Sequence, residues 1–374
     1  MSADTSPGEP IAELRERLDS LDARILELVA ERQELVTRIG EQKHCEGKAL
    51  RDYVREREVI DRGMRRAERL GMPGHIARDI LERLIFHSLS NQEQRQLVSS
   101  RHGAGLRALV IGGLGRMGDW LARYFDALGY TVEIADPGTG ESLFPVVADW
   151  RDSGLDHDVI AIAAPLRASN AILKELAAHR PAGLVFDIGS LKGPLGEGLA
   201  AMREAGCRIT SVHPMFGPGE LMLSGRHILF VDAGHRAATR EALALFAHTA
   251  ADCVELRLDD HDEVMAWVLG LSHLVNIAFA TALRRSGEAV PLLKRISSTT
   301  FNEQLRVASQ VVSENPHLYF EIQQGTATSV NAVQAFTGAL EELVRSIGAG
   351  EEQAFAEMMT RAFEHLAGNG EEPK

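Results

Sequence analysis

The sequence predicts a multidomain chain: an all-α amino-terminal helical module, an α/β domain on a parallel sheet, and an all-α carboxyl-terminal domain. Three observations carry this expectation. Residues 11–98 are rich in Arg, Glu and Leu, with glycine confined to a few breaks. Residues 106–232 alternate short apolar runs with Gly and Pro, the pattern of buried strands joined by turns. From about residue 255 helical spacing returns. The predicted units are 1–98, a small polar linker at 99–105, 106–254, and 255–374.

A length of 374 residues suits two or three domains of about 100–200 residues each. A net charge of −13, from 40 Lys+Arg against 53 Asp+Glu, argues against nucleic acid, which needs a broad basic face. An anionic metabolite remains compatible, because a pocket can be positive inside an acidic protein. Cys45, Cys207 and Cys253 lack CxxC spacing, so no metal site and no disulfide framework are expected. A reducing, cytoplasmic setting is the simpler reading. No membrane span is expected, since no apolar run approaches the roughly 20 residues required.

In the first unit, Ile11, Leu14, Leu18, Leu21, Ile25, Leu28, Leu35 and Ile39 form a heptad-like seam. A helix of this length, about 45 Å, exceeds what so small a unit covers, so a partner chain is expected against it. Position 32 of the seam holds Arg32. A guanidinium there either snorkels to the edge or pairs with an anion. Lys43 faces the same way, about 16 Å along the axis. A second helix, from near Arg51 to before Gly71, carries Asp52, Arg55 and Glu56 on one face. A third, from about Pro73 to Val98, carries Ser88 and Gln92 beside its apolar stripe. Taken singly, each pattern fits a solvated surface or helix edge as well as a site.

Taken together, these residues resemble the all-helical chorismate mutase family. The match runs through Arg15, Arg32 in Ala30-Glu31-Arg32-Gln33-Glu34-Leu35, Lys43, the Asp-x-x-Arg-Glu of Asp52, Arg55 and Glu56, and the Ser-x-x-x-Gln of Ser88 and Gln92. The resemblance implies rearrangement of chorismate to prephenate, a one-molecule step needing no acid, base or nucleophile. The protein holds two carboxylates in a compact conformer and stabilises charge on the breaking ether oxygen. By this resemblance the arginines take carboxylates, Lys43 and Gln92 bond the ether oxygen, and Glu56 bonds the hydroxyl. Arg15 lies about 25 Å up the helix from Arg32. The resemblance implies an intertwined homodimer in which the partner donates it.

In the second unit, Leu106–Ile111 reads as a strand, followed by Gly113-Leu114-Gly115-Arg116-Met117-Gly118 and a helix from Asp119 to Leu128. That is the strand–turn–helix setting of a dinucleotide-binding Rossmann domain. Gly113 is expected to make the turn, Gly115 to admit a pyrophosphate to the helix N-terminus, and Gly118 to allow close packing. The next strand, Tyr130–Ala135, ends at Asp136, an acid suited to ribose hydroxyls and repelling a 2′-phosphate, which favours NAD. Further strands are expected at Asp158–Ala163, Gly183–Ile188 and Arg208–Val212, placing Ser190, Lys192 and His213 beyond strand ends, where ligands bind. His213 there fits a structural role and a catalytic one about equally.

Asp187-Ile188-Gly189-Ser190-Leu191-Lys192 and His213-Pro214-Met215-Phe216-Gly217-Pro218, with the glycine turn, resemble the prephenate dehydrogenase family. The resemblance implies that His213 accepts the proton of the ring hydroxyl, that Ser190 orients His213 and the substrate, and that hydride passes to NAD as the ring carboxylate leaves as CO₂. Together the two resemblances imply a bifunctional enzyme of tyrosine biosynthesis.

The third unit reads as helices over Asp262–Arg285, Pro291–Val312, Leu318–Gly348 and Glu351–Leu366, resembling the family's dimerisation domain. His261 and His273 match family histidines. His273 is the better candidate for contact with substrate or with tyrosine as feedback inhibitor, although a core or capping role fits both. One position departs: where bifunctional members carry an Arg for the ring carboxylate, this chain has Asn302. Arg306, one turn later, is the expected replacement, with Arg295 upstream. The alternative is a changed substrate, arogenate or 4-amino-4-deoxyprephenate. Two other readings stay open: a non-catalytic helical regulatory module, and a reductase of the hydroxyacid–imine class.

Overall fold

A computed structural model of the chain describes residues 10–46, 51–99, 102–220 and 222–368, with the backbone alone at residues 44, 45 and 94–99. Three helices open it: α1 (Ile11–Cys45), α2 (Tyr53–Arg69) and α3 (Gly74–Ser99). Asp52 caps α2 through the Arg55 N–H at 2.9 Å. Gly71, at φ +75°, and Pro73 separate α2 from α3. The seam of α1 is bare within one chain: Ile11 is 69% exposed, Leu18 57% and Ile39 55%. Eight large apolar side chains left in water on one helix are the expected signature of a missing partner surface.

The segment predicted as a linker is docked over its described part. The Gly103 N–H donates to Leu128 O at 2.9 Å, and His102 stacks on His248 with ring centroids 3.9 Å apart. The sheet follows: β1 (Arg107–Ile111), β2 (Thr131–Ala135), β3 (Val146–Val147), β4 (Val159–Ile162), β5 (Leu184–Asp187), β6 (Arg208–Pro214), β7 (His227–Asp232) and β8 (Asp252–Arg257). Its order is β3-β2-β1-β4-β5-β6-β7-β8. All neighbours are parallel except β6 and β7. The chain reverses direction across the sheet between β1 and β4, the place where open α/β sheets bind ligands. Helices α4 (Arg116–Ala127) and α7 (Arg236–Leu245) cover one face around Phe125, Phe186 and Phe246. Helices α5 (Leu166–His179) and α6 (Gly196–Glu204) cover the other around Ile160, Leu173 and Met202.

Three boundaries differ from the sequence expectation. Strand β6 runs on through His213 and Pro214, because β7 supplies antiparallel partners, pairing His213 with Leu229 and Pro214 with Ile228. Strand β8 crosses the expected boundary at 254, so the carboxyl domain begins at Leu258. There α8 (Leu258–Met265) passes through a π-helical turn at Ala266–Leu271 into α9 (Ser272–Ser286). By length and composition this stretch, whose most apolar 18-residue window has a mean hydropathy of 1.6, is apolar enough to cross a bilayer, contrary to the expectation that no run was. Its first turns instead pack His261 and Asp262 against the α/β domain. The two long expected helices each divide. Val290–Arg295 (α10) and Thr299–Val312 (α11) are parted by the cap Ser298, and Pro316–Gln324 (α12) and Ala327–Ala349 (α13) by the cap Thr326. Glu352–Leu366 forms α14.

Candidate active sites

In the helical module, Arg32, Ser88 and Gln92 come together between α1 and α3. Arg32 Nη1 donates to Ser88 Oγ at 2.7 Å and to Leu84 O at 3.3 Å. Gln92 Nε2 donates to Val36 O at 2.6 Å, and both Ser88 and Gln92 are buried. Gly40 makes room for this, since a Cβ there would lie 2.9 Å from the Gln92 side chain. Burial lowers the pKa of Arg32, yet a guanidinium stays charged, so a cation sits at this helix crossing with no carboxylate bonded to it among the described residues. Lys43 lies partly buried toward the end of the same helix.

Helix α2 behaves differently from expectation. Asp52 is the cap of the helix rather than a member of its face, and it and Arg55 are exposed. Arg55 pairs with Glu58 at 3.2 Å. Glu56 pairs with Arg51 at 3.1 Å, and Arg51 reaches on to Asp252 of β8 at 2.9 Å. Arg15 is exposed on the far part of α1. One chain therefore assembles part of the expected polar set.

At the end of β1, the left-handed residue of the turn is Gly112, at φ +84°, rather than Gly113. Gly113 is instead required by Ile134, which a Cβ would approach to 2.6 Å. Gly118 seats α4 on the turn, since its Cβ would lie 2.2 Å from Gly112 O. Gly115 caps α4 and is exposed, and a Cβ there would meet only Gly112 O, at 3.2 Å. The first-turn N–H groups of Arg116 and Met117 have no partner within the helix. Asp136 closes the cradle from β2, accepting from Leu114 N at 3.1 Å and Gly138 N at 2.8 Å. A turn bare of side chains at the positive end of a helix, with an acid on the next strand, fits a dinucleotide. The Arg116 guanidinium turns away to Glu314, at 2.9 Å.

Beyond β5 and β6 lies a buried polar relay. His213 is 3% exposed, and its Nδ1 is 3.0 Å from Nε2 of His261. His261 Nδ1 is 2.7 Å from Asp262 Oδ1. Asp262 also accepts from the N–H groups of Lys192 at 2.8 Å and Gly193 at 2.7 Å. Burial alone would raise the Asp262 pKa, but His261 and the two N–H groups outweigh it and hold it below the usual value. The tautomers follow in sequence. An anionic Asp262 accepts a hydrogen bond from the His261 Nδ1–H, so neutral His261 presents Nε2 as an acceptor. His213 must then donate from Nδ1, leaving its Nε2 with an open lone pair. Burial, then Lys192 and His261, push the His213 pKa well below its ordinary value. The imidazole is therefore neutral, with Nε2 able to accept a proton or a hydrogen bond.

The side chain bonded to His213 is thus His261, not Ser190, which sits half-buried in the turn after β5. Lys192 does not line a cleft. It is fully buried, donating from Nζ to Asp187 at 2.9 Å, Gly189 O at 2.6 Å and Val212 O at 2.9 Å, while Asp187 also accepts from Ser211. This ion pair ties the ends of β5 and β6 together beneath His213. Asp187 entered the sequence reading only as part of a motif, with no role, and Asp262 escaped it as a site residue. The only signal was the dipeptide His261-Asp262 at a helix start, which reads equally as a cap.

In the carboxyl domain, His273 packs edgewise on Tyr319 at 4.1 Å between centroids. Its Nδ1 is buried without a partner, and burial brings its pKa to about 4. Arg306 lies on the exposed face of α11, bonded to Glu303 at 2.9 Å. Asn302 is exposed beside it and accepts from Ser297. One chain does not bring either to His213.

Comparison with known proteins matches the three units separately. The model for chorismate mutase type II matches residues 14–93, that for the prephenate dehydrogenase nucleotide-binding domain residues 147–233, and that for the prephenate dehydrogenase dimerization domain residues 258–361. The T-protein of Enterobacter agglomerans is 26% identical over 355 residues, 93% of this chain and 91% of that protein. The chorismate mutase of Methanocaldococcus jannaschii is 33% identical over 86 residues, 23% of this chain and 87% of that protein. The crystal structure of prephenate dehydrogenase from A. aeolicus with hydroxyphenyl propionate and NAD+ superposes with a TM-score of 0.56 at 17% identity, covering 71% of this chain and 98% of that one.

Proposed function

Because the chain belongs to the chorismate mutase type II family over residues 14–93 and to the prephenate dehydrogenase family over residues 147–233 and 258–361, we propose that one polypeptide performs two consecutive steps of tyrosine biosynthesis. The first rearranges chorismate to prephenate. The second oxidises prephenate to 4-hydroxyphenylpyruvate and CO₂ with NAD. The observation that carries the reading is the neutral His213, held by His261 and Asp262 in a chain that also gathers Arg32, Ser88 and Gln92.

In the mutase step Arg32 takes a substrate carboxylate, and Gln92 and Lys43 bond the ether oxygen. Glu56 bonds the hydroxyl once Arg51 orients it. Arg15 of the partner subunit completes the pocket, with Asp52, Arg55 and Ser88 lining it. A homodimer fits the bare seam of α1 and the match to a dimerization domain. In the dehydrogenase step, Gly113–Gly118 and Asp136 would hold NAD, which when bound supplies the hydride acceptor. His213 Nε2 takes the proton of the ring hydroxyl as the ring carbon is oxidised. After the ring carboxylate departs as CO₂, His213 returns that proton to the phenolate oxygen. Ser190 and His273 face the substrate, and His273 is also the side chain we assign to tyrosine as an inhibitor. The reaction suits the cytoplasm.

A second reading, in which the substrate carries an amine (arogenate or 4-amino-4-deoxyprephenate), is favoured by Asn302 and by the outward course of Arg306. One experiment decides: chorismate, prephenate and the two amines are each supplied with NAD, and NADH and CO₂ are recorded together. His213→Asn should stop NADH formation and spare chorismate consumption, and Arg32→Ala should do the reverse. NADH formation undiminished in His213→Asn would refute the assignment of the base.

A further inference from the structure

Glu93 follows Gln92 on α3, yet its side chain leaves the helical module. It is fully buried, and both its oxygens accept from the N–H of Leu223 at 3.0 Å, with Ser224 N at 3.1 Å. The Ala250 N–H, just before β8, also bonds it. Beside it Leu89 and Ile85 pack on Ala250. Burial drives the carboxyl pKa up to about 7 against the pull of these three N–H groups. No cation meets this carboxyl among the described residues, which makes its burial costly to keep, and its three donors are backbone groups of another domain.

Those donors sit at a sensitive place. Arg226 N bonds Leu223 O, closing the turn that feeds β7. Strand β7 is the hydrogen-bonded neighbour of β6, with Leu229 opposite His213, and Met215 N bonds His227 O. The same stretch is held from the other side, where Trp120 Nε1 of α4 donates to Glu220 O at 2.6 Å. We propose that Glu93, a residue of the mutase helix, is a positioning residue for the dehydrogenase: by fixing the turn at Leu223 and Ser224 it sets β7, and through β7 the placement of His213 toward the ring hydroxyl. It touches neither substrate nor NAD. The inference rests on the assignment of His213 as the base.

The test uses the full-length protein and three variants. Glu93→Gln keeps shape but loses the capacity to receive every N–H, Glu93→Asp keeps the charge at shorter reach, and Ser224→Pro removes one donor from the opposite side. Steady-state constants are measured for both reactions, with the unfolding midpoint. In Glu93→Gln the dehydrogenase kcat should fall about tenfold, as for a small displacement of a reacting group, with its KM for NAD and the mutase constants within about twofold. Glu93→Asp should recover part of kcat, and Ser224→Pro should reproduce the loss. A dehydrogenase kcat unchanged in Glu93→Gln, or a parallel fall of both activities with the unfolding midpoint, would overturn the proposal. A parent that oxidises normally while Glu93→Gln is silent sinks this inference and leaves the function standing. A parent without oxidation, or a His213→Asn variant that still oxidises, removes both.

Discussion

At the scale of single residues, the dehydrogenase site turns on which nitrogen carries a proton. Asp262 fixes the His261 tautomer, and His261 fixes that of His213. Asp262→Asn offers an amide donor to His261 Nδ1, which reverses the chain of donors and leaves His213 Nε2 protonated. NADH formation should then drop by about two orders of magnitude or more, as when the acid behind a catalytic His is made an amide, while the mutase rate stays level. The pH dependence carries a sign. The folded His213 pKa lies well below its usual value, so the free imidazole persists in the fold at pH values where an unfolded chain is already protonated. Stability from this group is full above about pH 6.5 and falls as pH drops through that value. The acid limb of kcat/KM should lie below pH 6.5. A limb at or above it would contradict a neutral, desolvated base.

At the scale of elements, α1 and α4 do contrasting work. Helix α4 is complete in one chain, seated by Gly118 against Gly112 O. A Cβ there collides with backbone that cannot turn aside, so Gly118→Val should lift the helix from the turn and weaken NAD binding at least about tenfold, read by fluorescence titration, without changing mutase turnover. Helix α1 is incomplete. Replacing Leu18 and Leu21, each 57% exposed in the single chain, by Glu should part the two copies of α1 and abolish mutase turnover, because Arg15 then has no second subunit to serve, while the match of the carboxyl-terminal unit to a dimerization domain leaves a second contact to hold the chains together. Retention of mutase activity by such a variant would mean that Arg15 acts within its own chain.

At the scale of the whole molecule, two sets of polar contacts among the described residues fasten the helical module to the sheet. Glu93 grips the turn before β7, and Arg51 joins Glu56 to Asp252 at 3.1 and 2.9 Å. Arg51 serves both the seam between units and a residue assigned to the mutase. Arg51→Ala should raise the mutase KM several-fold and cost about 1–2 kcal/mol in denaturant unfolding, the worth of a partly buried charged hydrogen bond. A wholly unaltered mutase would show that Glu56 needs no such orientation.

The sequence by itself determined what depends on local pattern. Heptad spacing marked α1 and the strand–glycine–helix run marked the cradle, while His213-Pro214-Met215 marked the end of β6 through its resemblance to a family motif. The first is a periodicity and the second a backbone demand that glycine meets. Tertiary structure decided which groups meet. His261 and Asp262 stand 48 and 49 positions beyond His213, and only the packing of α8 on the sheet brings them together. Gly112, not Gly113, makes the turn: it takes φ +84° against Ala163 and Ala164 after β4, while Ile134 of β2 crowds Gly113, which no spacing rule reveals. Glu93 reads as one more charge on a helix until the fold lays Leu223 and Ser224 over it. Hydrogen bonds between distant segments leave no period in the chain, so that part of the chemistry became legible only once the domains were packed.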